Sequence, residues 1–242
     1  MKMRHWLVSA LLLAQIGFVG AEDEVKVEAV GDSSFIPLVK DKPYMFVIHD
    51  GNSVKVQRVQ DPEYQLQGYF AKTARKCPPF CIQPIIPAPG VNVIGEVELF
   101  TFLETEIRDK TGIMIDARTP SWYSKATIPG SVNYPFSVLS KDPGDPELEE
   151  IIEKFGAVER IDVGFFTQLL ERWGLADTTY LTEDWDFRGA KNLVLYCNGP
   201  ACGQSPRAIN GLLATGYPAD KLFYYRGGMQ MWQLWGLTTV VP

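Results

Sequence analysis

Four cysteines are the residues of this sequence best suited to chemistry, and they form two close pairs. Cys197 is followed closely by Cys202, and Cys77 is followed closely by Cys81. The chain has only two histidines, which nearly excludes a histidine-based metal site. A metal held by all four thiolates is a less favoured alternative. We therefore expect thiol chemistry, with no metal and no cofactor.

Cys197 directly follows the apolar run 193–196, which is typical of a strand buried on both faces. A loop with Gly and Pro then leads to Ser205 and Pro206, the predicted N-cap and first residue of a helix. Loop N–H groups and the helix dipole stabilise an anion there and lower the pKa of a thiol. The pattern predicts a nucleophilic Cys197 thiolate; an inert buried thiol is the plainer alternative.

The elements that must position this loop alternate between strand and helix patterns from about residue 90 onward. Apolar runs predict strands at 113–115, 193–196 and 222–225. Helical spacing of apolar residues predicts helices at 96–104, 148–155 and 165–173. The alternation predicts an α/β fold with a mainly parallel sheet flanked by helices. Three tryptophans on the predicted helical faces are expected in the core: Trp173, Trp232 and Trp235.

Residues 1–21 have the features of a secretory signal peptide. Lys2 and Arg4 precede an apolar run that is too short to span a bilayer comfortably, and small residues at 19–21 offer a cleavage site. We expect export to the periplasm or the extracellular space, with no integral membrane segment after processing; an uncleaved anchor is the alternative. The net charge of −6 makes nucleic acid an unfavourable partner.

Residues 22–89 are predicted to form a small β-rich region ahead of the α/β domain. The turn sequence 50–52 lies between two segments rich in β-formers and predicts a hairpin, beside which His49 is expected to be solvated. Prolines exclude a helix from the end of this region. In an exported protein, Cys77 and Cys81 are expected to form a local structural disulfide. A functional alternative is that this pair exchanges electrons with the Cys197 loop.

Four motifs in the second part of the chain resemble the rhodanese (sulfurtransferase) family and occur in the family's order. They are an Asp-x-Arg-x-Pro segment, an Ile-Pro-Gly segment, a Tyr-Cys pair at a strand end, and Arg-Gly-Gly before a tryptophan. These motifs lie at 115–120, 128–133, 196–197 and 226–232. The resemblance covers residues 90–242 and implies a rhodanese-like domain. Residues 22–89 match no known activity.

The resemblance implies that Cys197 accepts a sulfane sulfur as a persulfide and passes it to a thiol. It also implies a cradle of loop residues for the transferred sulfur, formed by Asn198, Gly199, Ala201, Cys202 and Gly203. Asp116 and Arg118 then support the sheet edge rather than react. The resemblance also implies supporting structural roles for Arg226, Gly227 and Gly228.

The Cys197 loop departs from the family pattern in three ways. The loop is about two residues longer than is usual in the family. Counting forward from the strand therefore places the nucleophile at Cys197, whereas counting back from the helix places it at Gly199. We favour the register set by the strand. The segment 198–204 has no Lys or Arg, which disfavours thiosulfate as the donor. The additional thiol, Cys202, could resolve a persulfide or form a disulfide with Cys197.

The preferred interpretation is an exported sulfurtransferase that takes sulfane sulfur from a donor and passes it to a thiol acceptor. One alternative is a non-enzymatic sulfur carrier or docking module, in which residues 22–89 bind a protein partner. A second alternative is a thiol–disulfide protein that cycles between the dithiol and the disulfide of Cys197 and Cys202.

Overall fold

The computed structural model describes residues 35–161 and 163–242. The predicted signal peptide, residues 1–21, and the first part of the predicted β-rich region lie outside the described residues. Within the part of the chain that is described, no helix has the length and apolar character needed to cross a membrane.

A five-stranded parallel sheet organises the chain. The described residues contain nine strands: β1 (Met45–His49), β2 (Asn52–Val56), β3 (Asn92–Ile94), β4 (Gly112–Asp116), β5 (Ser131–Asn133), β6 (Val158–Glu159), β7 (Trp185–Asp186), β8 (Asn192–Tyr196) and β9 (Leu222–Tyr225). The sheet has the order β3-β9-β8-β4-β5, and all its neighbouring strands are parallel. The predicted α/β class with a mainly parallel sheet is therefore confirmed.

Helices cover both faces of this sheet. In chain order the α-helices of the described residues are α1 (Glu96–Phe102), α2 (Pro120–Tyr123), α3 (Phe136–Leu139), α4 (Pro146–Lys154), α5 (Phe165–Arg172), α6 (Gln204–Ala214) and α7 (Gly228–Leu234). Helix α1 continues into a π-helical turn at Leu103–Ile107. One apolar cluster contains residues of α4 and α6, and a second contains residues of α1, α7 and the β1–β2 hairpin.

The two central strands are apolar because each of their faces meets one of these clusters. Leu193 and Leu195 of β8 belong to the cluster with α6, whereas Val194 and Tyr196 belong to the cluster with α7. All four side chains are fully buried. Since successive side chains of a strand point to opposite faces, a strand between two helical layers needs apolar residues throughout.

Helix α4 begins and ends at residues with a clear local reason. The Asp145 carboxylate accepts hydrogen bonds from the N–H groups of Glu147 at 3.0 Å and Leu148 at 3.4 Å. Pro146 occupies the first helical position, where no N–H partner is needed. Gly156 follows the helix with a φ of 92°, a conformation that favours glycine.

Helix α6 begins earlier than the sequence predicts. Its N-cap is Gly203 and its first residue is Gln204, so the prediction of Ser205 as N-cap is wrong. The Ser205 hydroxyl is buried and makes no capping bond to the backbone. Further along, a Cβ on Gly211 would lie 2.0 Å from the Leu139 carbonyl oxygen, so α6 packs directly on the backbone at the end of α3.

The expectation that three tryptophans belong to the core holds for one of them. Trp232 is fully buried, but Trp235 is exposed and Trp173 is 63% exposed. Helix α5, which precedes Trp173, has no buried residue, and Phe165 is 80% exposed. An ion pair between Arg160 and the α5 residue Glu171 joins this helix to its neighbours, with an N–O distance of 2.6 Å. Leu169 and Leu170 are half-buried, so the apolar face of α5 is only partly covered.

The β1–β2 hairpin of the N-terminal region packs on the α/β domain. Asp50 and Gly51 both have positive φ values, 47° and 78°, as a tight two-residue hairpin turn requires. Met45 and Val47 of β1 are buried in the same cluster as α1 and α7. Residues 35–242 consequently form one compact unit.

His49 is buried, so its predicted solvation is wrong. Its side chain is 7% exposed, and its Nδ1 accepts a hydrogen bond from the Gly130 N–H at 3.2 Å. A Cβ on Gly130 would lie 2.6 Å from a methyl carbon of Val47. The hairpin thus approaches the Ile-Pro-Gly segment too closely for water to surround the imidazole.

Candidate functional site

Cys197 lies at the carboxyl end of β8, in the middle of the sheet, and is 1% exposed. Its carbonyl oxygen accepts a hydrogen bond from the Met229 N–H at 3.0 Å. A Cβ on Gly228 would lie 2.3 Å from that oxygen, and Gly228 has a φ of 52°. This position therefore requires glycine, and the Gly227-Gly228 segment holds the first residue of the loop against α7. The Asn198 carbonyl is held in the same way, by the Gln230 N–H at 3.0 Å.

The surroundings of Cys197 favour its thiolate. Burial alone raises the pKa of this thiol, but hydrogen bonds more than compensate. The Cys202 thiol, the Ser205 hydroxyl and the N–H groups of Ser205 and Gly199 lower the pKa of Cys197 to about 7. The buried Ser205 hydroxyl has no hydrogen-bond partner among the described residues, so it is free to turn toward the sulfur. The helix dipole of α6 acts in the same direction.

Cys202 is the proton-bearing member of the pair. The neighbouring Cys197 sulfur raises the pKa of the Cys202 thiol well above its ordinary value, and burial adds to this effect. The Cys202 thiol donates to the Gln204 side-chain oxygen at 3.4 Å. The N–H groups of Gln204 and Asn198 face the Cys202 sulfur and act in the opposite direction. Each of the two sulfur atoms therefore has its own pair of backbone N–H groups, Ser205 and Gly199 for Cys197, and Gln204 and Asn198 for Cys202.

The predicted cradle is only partly available to a transferred sulfur. The N–H of Cys202 donates to the Gly199 carbonyl oxygen at 2.9 Å, so it closes the loop instead of binding a ligand. Ala201 and Gly203 line the cavity above the loop. Ser205, which the sequence suggests only as a helix cap, is the additional donor.

A buried ion pair lies beneath the loop, at the predicted supports Asp116 and Arg118. The Asp116 carboxylate accepts hydrogen bonds from Arg118 Nε at 2.9 Å, Thr127 Oγ1 at 2.9 Å and the Tyr196 hydroxyl at 3.1 Å. The Arg118 guanidinium also donates to the Ala126 carbonyl at 2.6 Å. Since Tyr196 directly precedes Cys197, this network fixes the end of β8. Neither charged group lines the cavity, so both are positioning residues.

Above the loop is a cavity of about 710 Å³. Its floor contains Asn198, Gly199, Cys202 and Gly203. Its walls include Tyr69, Arg75, Phe80, Trp122, Phe136 and Arg207. Cys202 thus faces the cavity, and Cys197 lies behind it.

Positive charge enters the cavity from outside the loop. Arg207 lies on α6, and Arg75 comes from the N-terminal region. The absence of Lys and Arg from the segment 198–204 therefore does not leave the site without cations, and the sequence argument against thiosulfate loses its premise. No sequence signal pointed to Arg75, which is far from the loop along the chain.

The second cysteine pair lies beside the same cavity. Cys77 and Cys81 are joined by a disulfide, and Cys81 lines the cavity with Cys202. Arg226, another predicted support, donates to the Gln83 carbonyl oxygen at 2.9 Å. Arg226 therefore holds the Pro-rich segment rather than a substrate.

The reactivity of Cys197 should report its lowered pKa. Alkylation by iodoacetamide should rise with pH around a midpoint near 7, because only the thiolate reacts. Ser205→Ala should move the midpoint upward by roughly one pH unit or more, since a hydrogen bond to a charged group contributes about 1.5–3 kcal/mol. Ser53→Ala, in the exposed part of β2, is the matched control. Peptide mapping over a pH series measures both, and an unchanged Ser205→Ala midpoint would contradict the assignment.

Comparisons with known proteins agree with the architecture. Residues 101–234 match the model of the family described as Rhodanese-like domain. No curated protein matches the chain.

The solved structures that are similar to this chain include the following three. A rhodanese-related protein of Thermoplasma volcanium is 15% identical, with 62% of this chain and 99% of that chain covered and a TM-score of 0.31. The rhodanese-like domain of an Anabaena protein is 16% identical, with 62% and 78% covered and a TM-score of 0.35. A thiosulfate sulfurtransferase of Pseudomonas aeruginosa is 16% identical, with 62% and 20% covered and a TM-score of 0.33.

Proposed function

This chain belongs to the rhodanese-like domain family, whose model covers more than half of it, and on that premise we propose that it is a sulfurtransferase. Cys197 carries sulfane sulfur as a persulfide and passes it to a thiol acceptor. The observation that carries the proposal is the position and surroundings of the Cys197 sulfur. It lies at the end of the central strand, with the N–H groups of Gly199 and Ser205 directed at it and its pKa lowered to about 7.

Each half of the reaction is a displacement at sulfur. The Cys197 thiolate attacks the outer sulfur of the donor, an S–S bond to Cys197 forms, and the donor's bond to that sulfur breaks. The donor residue leaves with the electron pair. An acceptor thiolate then attacks the outer sulfur, and the Cys197 thiolate is released. The loop N–H groups and α6 stabilise the anionic sulfur in both halves.

The experiment that tests this proposal is mass spectrometry of the reduced protein before and after a sulfane donor. A persulfide adds about 32 Da, the mass of one sulfur. We expect this addition on the peptide that contains Cys197, and its removal by a thiol acceptor. No added mass with either thiosulfate or an organic persulfide, or an addition located at Cys202, would contradict the proposal.

A second candidate function is thiol–disulfide cycling of Cys197 and Cys202. The observation that favours it is the contact between these two free cysteines within one loop, where the Cys197 thiol donates to the Cys202 carbonyl oxygen at 3.3 Å. A thiolate beside a protonated thiol is the arrangement from which a dithiol is oxidised.

A protein partner for sulfur delivery or removal would meet the Pro-rich end of the N-terminal region, beside the cavity. Three isoleucines of that segment are exposed: Ile82, Ile85 and Ile86. Ile82 is 81% exposed, although it lies between Cys81 and Gln83, which both line the cavity. Apolar side chains at the rim of a reactive site suit docking of another protein.

Export is the remaining part of the proposal, and it rests on the sequence of residues 1–21. The mature protein should begin at Glu22, because signal peptidase cleaves after small residues such as Ala21. N-terminal sequencing of the protein from the periplasmic or culture fraction measures this. Recovery in the membrane fraction with Met1 still present would show an uncleaved anchor instead.

A further inference from the structure

The Cys77–Cys81 disulfide is held against the Cys197 loop by hydrogen bonds. The Gln83 N–H donates to the Pro200 carbonyl oxygen at 2.9 Å, and the Gln83 side chain donates to the Cys81 carbonyl at 2.7 Å. Cys81 lies two residues before Gln83, and Cys202 lies two residues after Pro200. Both cysteines line the one cavity. The bonds between the two segments thus bring a disulfide and a free thiol to the lining of the same cavity.

Aromatic and cationic side chains fix the wall that carries the disulfide. The Arg75 guanidinium lies 4.0 Å from the centre of the Tyr69 ring and 5.2 Å from that of Phe80. The Tyr69 ring in turn lies 4.5 Å from the Trp122 ring, on the domain. Such stacked contacts restrain the segment on both sides of Cys77. These contacts therefore fix the position of the disulfide in the lining of the cavity.

We propose that the two cysteine pairs exchange a disulfide across this cavity, so that the Cys197–Cys202 dithiol is oxidised when the Cys77–Cys81 disulfide is reduced. Cys202 is the thiol that begins the exchange, because it faces the cavity while Cys197 is buried behind it. This activity is independent of the sulfur transfer proposed above and needs no persulfide.

The exchange balances without an external oxidant. The Cys202 thiol gives its proton to the Cys197 thiolate and attacks the Cys81 sulfur. A Cys81–Cys202 bond forms, the Cys77–Cys81 bond breaks, and Cys77 leaves as a thiolate that then takes the proton from Cys197. The Cys197 thiolate attacks the Cys202 sulfur, and Cys81 leaves as a thiolate. Two electrons and one proton have moved to the Cys77–Cys81 pair.

The exchange would make sulfur transfer by Cys197 depend on the redox state of the two cysteine pairs. Once Cys197 is bonded to Cys202, it has no thiolate with which to accept sulfur. The oxidation state of the Pro-rich segment therefore decides whether Cys197 is available, and a thiol or dithiol reductant restores it.

Two double variants of the full chain test the proximity that the exchange requires. Cys77→Ser with Cys197→Ser keeps Cys81 and Cys202, and Cys81→Ser with Cys202→Ser keeps the other two cysteines as the matched control. Each is equilibrated with reduced and oxidised glutathione, quenched with acid, alkylated and mapped. We expect the effective concentration of the first pair to exceed that of the control by at least roughly tenfold. Equal values, or a higher value in the control, overturn the proposal.

A single variant keeps the test decisive if a double variant does not fold. Cys197→Ser removes the thiol that completes the exchange, so the reaction goes no further than the Cys81–Cys202 mixed disulfide. Slow alkylation during the incubation traps this species, because it caps the released Cys77 thiol that would otherwise reverse the step. Peptide mapping of this variant, isolated with its Cys77–Cys81 disulfide, should find peptides linked through Cys81 and Cys202. The absence of that linked peptide overturns the exchange. It leaves the sulfurtransferase proposal intact, because that proposal is tested by the mass of wild-type Cys197.

Discussion

The Cys197→Ser variant is expected to transfer sulfur at no more than the uncatalysed rate, whereas Cys202→Ser remains active. Serine keeps the size of the side chain but is not ionised near pH 7, so it cannot attack a sulfane sulfur. Cys202→Ser puts a hydroxyl donor where the thiol stood, and the hydroxyl and N–H groups of Ser205 and the Gly199 N–H remain to lower the pKa of Cys197. Its rate at neutral pH should therefore stay close to that of the wild type.

Steady-state transfer to cyanide, followed as thiocyanate formation over a pH series, measures both variants. Thiosulfate and a neutral organic persulfide should be compared as donors, because Arg75 and Arg207 offer charge to an anion. The reverse result, with Cys202→Ser inactive and Cys197→Ser active, would place the nucleophile at the cavity surface. The register taken from the strand would then be wrong.

The Asp116→Ala variant is expected to lose about 3–5 kcal/mol of unfolding free energy, the usual effect of removing one partner of a buried ion pair. The Arg118 side chain is 1% exposed, so its guanidinium would stay buried with the Ala126 carbonyl as its remaining partner. Thr127 and Tyr196 would also lose the carboxylate that accepts their hydrogen bonds.

The chain contains a matched control for this prediction. Asp186 and Arg188 repeat the same two-residue spacing and the same bonds, with Arg188 Nε 2.9 Å from the carboxylate. The Arg188 side chain is exposed, so water replaces the lost partner, and Asp186→Ala should leave the denaturant midpoint nearly unchanged. Urea unfolding of both variants checks the difference. Similar midpoints for the two would mean that burial does not decide the effect.

The sheet and the place of Cys197 could be predicted because each depends on local sequence. Runs such as 113–115 and 193–196 are apolar throughout, which is what two covered faces demand. The start of α6 was predicted wrongly for a physical reason. A serine followed by proline is typical of a helix start, but here Gly203 is the N-cap and the buried Ser205 hydroxyl, already inside the helix, makes no hydrogen bond to the backbone.

The walls of the cavity could not be predicted, because they come from segments far apart in the chain. Tyr69 and Arg75 meet Trp122 and Arg207 only after the N-terminal region has folded onto the domain. The burial of His49 has the same origin, since Gly130 contacts the hairpin across the domain. The helical periodicity of α5 correctly predicts a helix. Its exposure could not be predicted, because an amphipathic pattern does not specify which surface, if any, covers the apolar face.

The pairing of distant segments has a consequence for how the chain acquires its structure. Among the described residues, edge strand β3 pairs only with β9, joining Asn92 to Phe223, and an isolated bridge joins Arg58 to Leu237. During synthesis, the early segments therefore lack their partners until residues beyond 220 have emerged from the ribosome. Contacts between such remote positions require closure of long loops, which slows folding. A chain that folds late in this way remains unfolded while it is being made, which is the state that the proposed export would need.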